Sequence, residues 1–457
     1  MSLKLNTEQS NTVSEELTIT TMAKVNPFKG VRYDKSAVSN LMDLLAPPYD
    51  VISPDYQESL YKRNDKNVIR LILDKIKETD SDTDNRYTRA KSCLDEWMSD
   101  GTLKQDEKPA LYLYAQDYKI GDETLRRVGF ICRRLAEPLG TTIFPHERTL
   151  SGPKTDRLNL TRACKMNFSQ VFGLYSDSGK VLDSVWEKVM AAPADVALTD
   201  DDGQVHSMWI VTDEAIIEKT QAFMEDKPIV IADGHHRYET ALNYRNERRA
   251  EENREGEADY DYVMMYLSNT HGQGFTVLPT HRLVKNVPDI NADEVLLKLS
   301  ESFDITSRQY EHGVMPVFLE DLIKSGADKT SFGLYAGYGK LHLLTLKEGA
   351  GLPEGDGSPA SEALRKLDVN ILQGLIFEKM LGVSKEAVAD KSVISYTVDA
   401  EEAVREVDSG SAKLAFLLNR TGVDQIIDVA TKGGVMPQKS TYFYPKLITG
   451  LVFNPLS

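Results

Sequence analysis

The densest group of chemistry-bearing side chains lies in IADGHHRYETAL, residues 231–242, where Asp233, Gly234, His235, His236 and Arg237 follow an apolar run. An apolar strand that delivers Asp and Gly to a turn and then starts a helix leaves the first helical N–H groups without intrahelical acceptors. The helix dipole adds partial positive charge at the same place. Glycine lets the backbone approach a ligand closely, and Arg237 supplies a guanidinium fork that matches phosphate oxygens. The chemistry predicted is binding of an anion, foremost a phosphate-bearing one. Neighbouring helical residues point about 100° apart, so only one of His235 and His236 faces a ligand easily while the other packs or bonds elsewhere. The same triplet fits a structural role as well, with His235 capping the turn, His236 satisfying a core acceptor and Arg237 in an ion pair.

A second cluster, PHERTLSGPKTDR at 145–157, brings His146, Glu147, Arg148, Lys154, Asp156 and Arg157 together. Such a set is able to bind phosphate, hold a metal or act as acid and base, although a solvated surface loop carries the same residues. Asp233 suits a divalent cation or the orientation of a histidine, and Asp before Gly is also ordinary turn chemistry. MPQKSTYFYPKL at 436–447 offers Lys439, Ser440, Thr441, Tyr442 and Lys446 as donors around phosphate, while its alternating Tyr442 and Tyr444 suit a strand. Tyr49 and Asp50 in APPYDVI, 46–52, sit in a proline-shaped loop within reach of a ligand or simply forming a rigid corner. His281 and Arg282 are weaker candidates, and His206, His271, His312 and His342 stand alone.

The elements that must position these residues form an α+β pattern of mixed β-sheets flanked by helices. A helix near 213–225, a strand at 228–232 and a helix from about His235 make a helix–strand–helix unit over 213–250 with the motif at its corner. Leu111, Leu113 and Ala115, the Gly121-Asp122 turn and VGFIC at 128–132 predict a β-hairpin. NVIRLIL at 67–73 reads as a strand, the next segment as a helix through Tyr87, Ala90, Leu94 and Trp97, and 145–162 as a polar stretch without periodicity. Further strands are expected at FSQVFGLYSD, DYVMMYLSN, 331–336, 340–346 and KLAFLLN, and further helices near 292–301 and 315–324. Thr421 is placed to cap one more helix, which Gly433 and Gly434 end. The expected organisation is a flexible N-terminus at 1–24, a main α+β domain at 25–285 and a second α+β region at 286–457 packing on the first.

With 457 residues, 41% hydrophobic and 27% charged, the chain is long enough for a large core and falls among ordinary folded proteins. A net charge of −16 disfavours nucleic acid. Cys93, Cys132 and Cys164 fit neither a disulfide framework nor a paired-cysteine zinc site, so a cytoplasmic location is expected. Residues 1–24 lack the apolar core of a signal peptide, and no apolar run approaches the roughly 20 residues of a membrane span, so a soluble protein without membrane contact is expected.

ADGHHRYETA, with APPYDVI before it, PHERTLSGPKTDRLNL between and MPQKSTYFYPKL near the end, resembles an uncharacterised prokaryotic family known only as a domain of unknown function. That likeness spans nearly the whole chain and makes Glu147 the candidate base or metal ligand. DGHHRYETA also resembles the G-x-x-R box of the ParB and sulfiredoxin superfamily, whose members set it against nucleotide phosphates. This implies nucleotide chemistry, with ATP, ADP or CTP and Mg as cofactors. Sulfiredoxins carry a cysteine where His235 stands, which argues against sulfinate repair. Neither the helix-turn-helix that follows the box in ParB proteins nor a basic patch is apparent.

The expected function is binding of a nucleotide or other phosphate-bearing small molecule, with phosphoryl transfer or nucleotide hydrolysis. Gly234, His235, His236, Arg237, Lys154, Arg157 and Lys439 would hold the ligand. Arg237, Glu147, Asp233 and His235 would carry catalysis, and Asp233 and Glu147 would take the metal. The first alternative is a non-catalytic nucleotide or anion sensor. The second is a metal-dependent hydrolase using His146, His235, His236 and Asp233, which would bind zinc or manganese.

Overall fold

Alternating apolar residues in Leu111–Ile120 and Glu123–Leu135 build a long hairpin, closed at Gly121, whose φ of 58° lies in the left-handed region that a tight turn requires. The computed structural model describes residues 24–457 except 150, 273, 288–290, 354, 356, 385–386 and 389–391, and for 151–153 the backbone only. The expectation for residues 1–24 therefore lies outside the described residues, save Lys24.

Around the hairpin runs a mixed nine-stranded sheet. Its order is Ile143–Phe144, Ile229–Asp233, Val171–Tyr175, Tyr262–Asn269, Glu123–Leu135, Leu111–Ile120, Val205–Val211 and Val196–Thr199, with Val25–Asn26 also paired to Glu123–Leu135. Tyr262–Asn269 is buried along its whole length, as a central strand covered on both faces must be. Strand alternation divides the core. Leu113, Phe130, Cys132, Ile231 and Met265 pack on one face with Trp186. Tyr112, Tyr114, Ile131, Met264 and Tyr266 pack on the other, in a cluster that continues without a break to Phe332 and Phe416.

Those last residues belong to a second, antiparallel sheet ordered Phe303–Gln309, Lys340–Leu346, Ser331–Tyr335, Leu414–Leu418, His281–Val284 and Ile394–Thr397. Helices Val314–Gly326 and Ala400–Asp408 bury Phe318, Leu322, Ala403 and Val404 against one of its faces. Beyond helix Val423–Thr431 the chain returns to the first layer. Tyr442–Tyr444 pairs with Thr276–Leu278, and Asn454–Pro455 pairs with Met166–Asn167. The protein is α+β, as the sequence pattern predicts.

Three local expectations are corrected. Residues 69–72 are helical rather than extended: Asn67 Oδ1 accepts the Ile69 amide at 2.9 Å, starting a turn that is buried too completely for its periodicity to be read. Within 145–162, helix Ser151–Cys164 begins. It shows no apolar stripe because the side chains it buries include Arg157 and Thr161. The helix after Leu418 is capped by Gly422, and Thr421 instead donates to the Ser440 carbonyl at 3.3 Å.

Candidate anion-binding site

The strand Ile229–Asp233 ends in a bulge: Ile231 faces Gly173 and Asp233 faces Phe172, leaving Ala232 as the extra residue. Bulges re-aim the side chains that follow them, and here the turn to the long helix His235–Glu252 comes next. Gly234 makes that turn at φ 88°, ψ 28°. A Cβ at Gly234 would lie 2.8 Å from Arg237 Nε, so the glycine is needed for close approach as well as for its backbone angle.

Arg237 folds back over Gly234. One terminal nitrogen pairs with Asp233 and the other donates to the Gln170 carbonyl. Lys446 Nζ meets the second Asp233 oxygen at 2.7 Å and lies 4.4 Å from the centre of the Tyr442 ring. Burial alone would raise the Asp233 carboxyl, but Lys446 and Arg237 hold it well below the usual carboxylate range. Lys439 adds a third positive charge that acts on Asp233, and its exposed side chain makes no salt bridge or hydrogen bond among the described residues. Around one carboxylate the turn thus gathers three cations.

The two histidines divide as the helix geometry requires. His235 turns inward, its ring edge-on to His146 with centroids 4.7 Å apart, and its Nε2 accepts the His146 backbone amide at 3.3 Å. His146 Nδ1 faces the Ile231 carbonyl, so it carries the proton, and Nε2 accepts from Thr441 Oγ1 at 2.9 Å. Burial pushes His146 down to about 4 and His235 well below the ordinary imidazole value. Both are neutral, and both lone pairs are used within the protein. His236 is half-buried and lowered by burial, with Glu239 pulling the other way.

Lys154 Nζ pairs with Glu239 Oε2 at 2.7 Å, and Thr149 Oγ1 donates to the same carboxylate, tying helix Ser151–Cys164 to the helix that carries the motif. Glu147 precedes this pair in a short bridge to Met436; burial raises its carboxyl, against the Lys439 amide and ammonium. Arg157 is buried on the far side of Tyr49, its guanidinium 4.2 Å from that ring and one nitrogen donating to the Ile72 carbonyl at 2.7 Å. A small cavity of about 50 Å³ touches Tyr49, Arg157 and Arg237.

Asp233, Gly234, His236, Arg237, Lys439 and Glu147 thus come together at one corner, Lys154 reaches it through Glu239, and Arg157 stands behind Tyr49. His235 lies beneath the corner rather than in it. The four-residue metal set His146, His235, His236 and Asp233 is not assembled: among the described residues no three His, Cys, Asp or Glu side chains are grouped to hold a metal. Sequence reasoning missed Glu239 and the Gln170 carbonyl. It offered Lys446 as a donor around phosphate but not as a partner of Asp233, since nothing in spacing links the two across 213 residues.

Fold and site together define an α+β protein whose mixed sheet presents a cation-rich turn at the head of a long helix. The chain belongs to the family described as protein of unknown function (DUF1015), whose model matches residues 25–370. No curated protein matches it. Among solved structures it is similar to a conserved hypothetical protein from Pyrococcus furiosus, at 11% identity over 70% of this chain and 92% of that one, with a TM-score of 0.33. A free serine kinase in complex with AMP overlaps at 10% identity over 69% and 86%, TM-score 0.34. A C-terminally truncated SbnI from Staphylococcus aureus does so at 10% over 69% and 85%, TM-score 0.32. At such TM-scores the chemistry of this chain has to be read from its own residues. No described helix is long and apolar enough to cross a membrane, and the three cysteines are free.

Proposed function

We propose that the Gly234–Arg237 turn binds the phosphates of a nucleotide and that the protein transfers or hydrolyses a phosphoryl group there. The observation that supports this most is the gathering of cations at the turn, where Arg237 and Lys446 pair with the Asp233 carboxylate and Lys439 acts on it as well. Phosphoryl transfer asks chiefly for positioning and charge neutralisation, which fixed guanidinium and ammonium groups beside a helix N-terminus supply.

In this reading Asp233 is a positioning residue. It holds Arg237 and Lys446 in place and, with both oxygens engaged, is a poor metal ligand. His235 supports the loop bearing Glu147 from below. Glu147, raised by burial, is the candidate base, because a carboxyl lifted toward neutrality accepts a proton more readily than an ordinary one. A Mg ion accompanying the nucleotide would be held mainly by the phosphates and water, which leaves Glu147 to serve as base. When bound, the ion would neutralise phosphate charge.

The test is thermal unfolding with ATP, ADP or CTP with and without Mg, followed by phosphate release and product analysis over candidate acceptors. The reading expects a nucleotide-dependent rise in Tm and turnover that Glu147→Gln removes while binding persists. A folded protein whose Tm no nucleotide moves would overturn it. A sensor without turnover is the second reading, favoured by one observation: both oxygens of Asp233 and the acceptor nitrogens of both inner histidines are engaged by protein partners. Binding without any phosphate release would select it.

A further inference from the structure

Beside the turn, and separate from it, a cavity of about 420 Å³ opens between the 148–149 loop and the elements around Leu372–Met380, in the range of small-molecule sites. Three arginines line it, Arg148, Arg282 and Arg365, against one glutamate, Glu378. Arg282 is 5% exposed and forms no salt bridge among the described residues; it donates to the carbonyls of Thr280 at 2.7 Å and Lys439 at 2.9 Å and lies 4.7 Å from the Tyr396 ring. Carbonyls and a ring satisfy some of its N–H groups, and the Glu147 carboxylate acts on its charge from a distance without an ion pair, in a site where burial disfavours the charged form.

Arg148 likewise has no hydrogen bond or salt bridge from its side chain among the described residues, whereas Arg365, whose Nε is buried without a partner among them, pairs through a terminal nitrogen with Glu362 Oε1 at 2.9 Å. The rest of the wall mixes apolar side chains, Leu372 and Phe377 among them, with polar ones such as Asn370 and Gln373. A buried guanidinium without an ion pair among the described residues, facing a partly apolar chamber, is the arrangement that a carboxylate on a hydrocarbon body completes, since the fork binds the acid and the apolar part of the wall removes the body from water.

We propose that this cavity binds a small organic carboxylate, its acid group set against Arg282 and Arg148 and its hydrocarbon portion against Leu372 and Phe377. The proposal does not depend on nucleotide binding at the turn.

Calorimetric titration of the full chain with 3-phenylpropionate, its uncharged amide and phenyl phosphate tests it. The acid is expected to bind at least tenfold more tightly than the amide. Arg148→Gln, an exposed position, should weaken the acid about tenfold and leave the amide unchanged. Arg282→Gln, checked for folding by circular dichroism, should abolish the difference between acid and amide. Equal binding of acid and amide, no binding of either to the folded protein, or an acid affinity untouched by Arg148→Gln would overturn the proposal. Tighter binding of phenyl phosphate than of the acid would overturn the carboxylate assignment.

Discussion

At the scale of single residues, the inner histidines carry a pH signature. An imidazole in an unfolded chain takes up a proton near pH 6.5, whereas buried His146 does so only near 4, and burial holds His235 well below its ordinary value too. Above pH 6.5 neither state is protonated and the native arrangement keeps its full stability. Between 6.5 and 4 the unfolded chain binds protons that the native one refuses, so stability falls as pH falls. For His146 the loss is on the order of 3 kcal/mol by pH 4. Urea midpoints measured across that window should therefore slope steeply in the native protein and less in His146→Gln. Parallel slopes would remove the argument. Arg237→Lys is the companion test: an ammonium cannot bridge Asp233 and the Gln170 carbonyl at once, so nucleotide affinity should drop about tenfold or more with the fold retained.

At the scale of elements, the bulged strand, the left-handed glycine and the helix start act as one device. Gly234→Ala meets two obstacles, a φ of 88° and the Arg237 guanidinium 2.8 Å from the new methyl group. The expected outcome is a loss on the order of 1–3 kcal/mol in chemical unfolding, together with weakened phosphate binding because Arg237 must move. This device was legible in the sequence, since apolar strand, Asp-Gly turn and histidine-rich helix start follow each other within a dozen residues. The bulge was not, because one extra residue leaves no trace in an apolar run. Helix Ser151–Cys164 was hidden for a different reason. Its partner is another helix, met through Lys154–Glu239 and a paired Arg162–Glu247 contact at 2.6 and 2.9 Å, so no apolar stripe betrays it.

At the scale of the molecule, the site is closed by a segment from the far end of the chain. The 436–446 stretch supplies Thr441 to His146, Lys446 to Asp233 and a backbone bridge to Glu147. Sequence alone suggested donors there but gave no reason to pair them with a motif two hundred residues earlier, because hydrophobic pattern encodes faces and not partners. Lys446→Met should leave Asp233 with Arg237 as its one direct ion-pair partner among the described residues. We expect it to lose about 1.5–3 kcal/mol of stability, to raise the carboxyl toward ordinary values in a titration followed by NMR, and to weaken nucleotide binding. A variant with native stability and an unmoved carboxyl would show that the contact contributes nothing.

The Lys446–Asp233 pair spans 213 residues, and that span bears on how the protein is made. A ribosome that has just finished the GHHR turn has released a corner with an acid awaiting its second cation, and it must translate the whole six-stranded sheet before that cation emerges. A growing chain thereby cannot complete this corner until the lysine has left the exit tunnel.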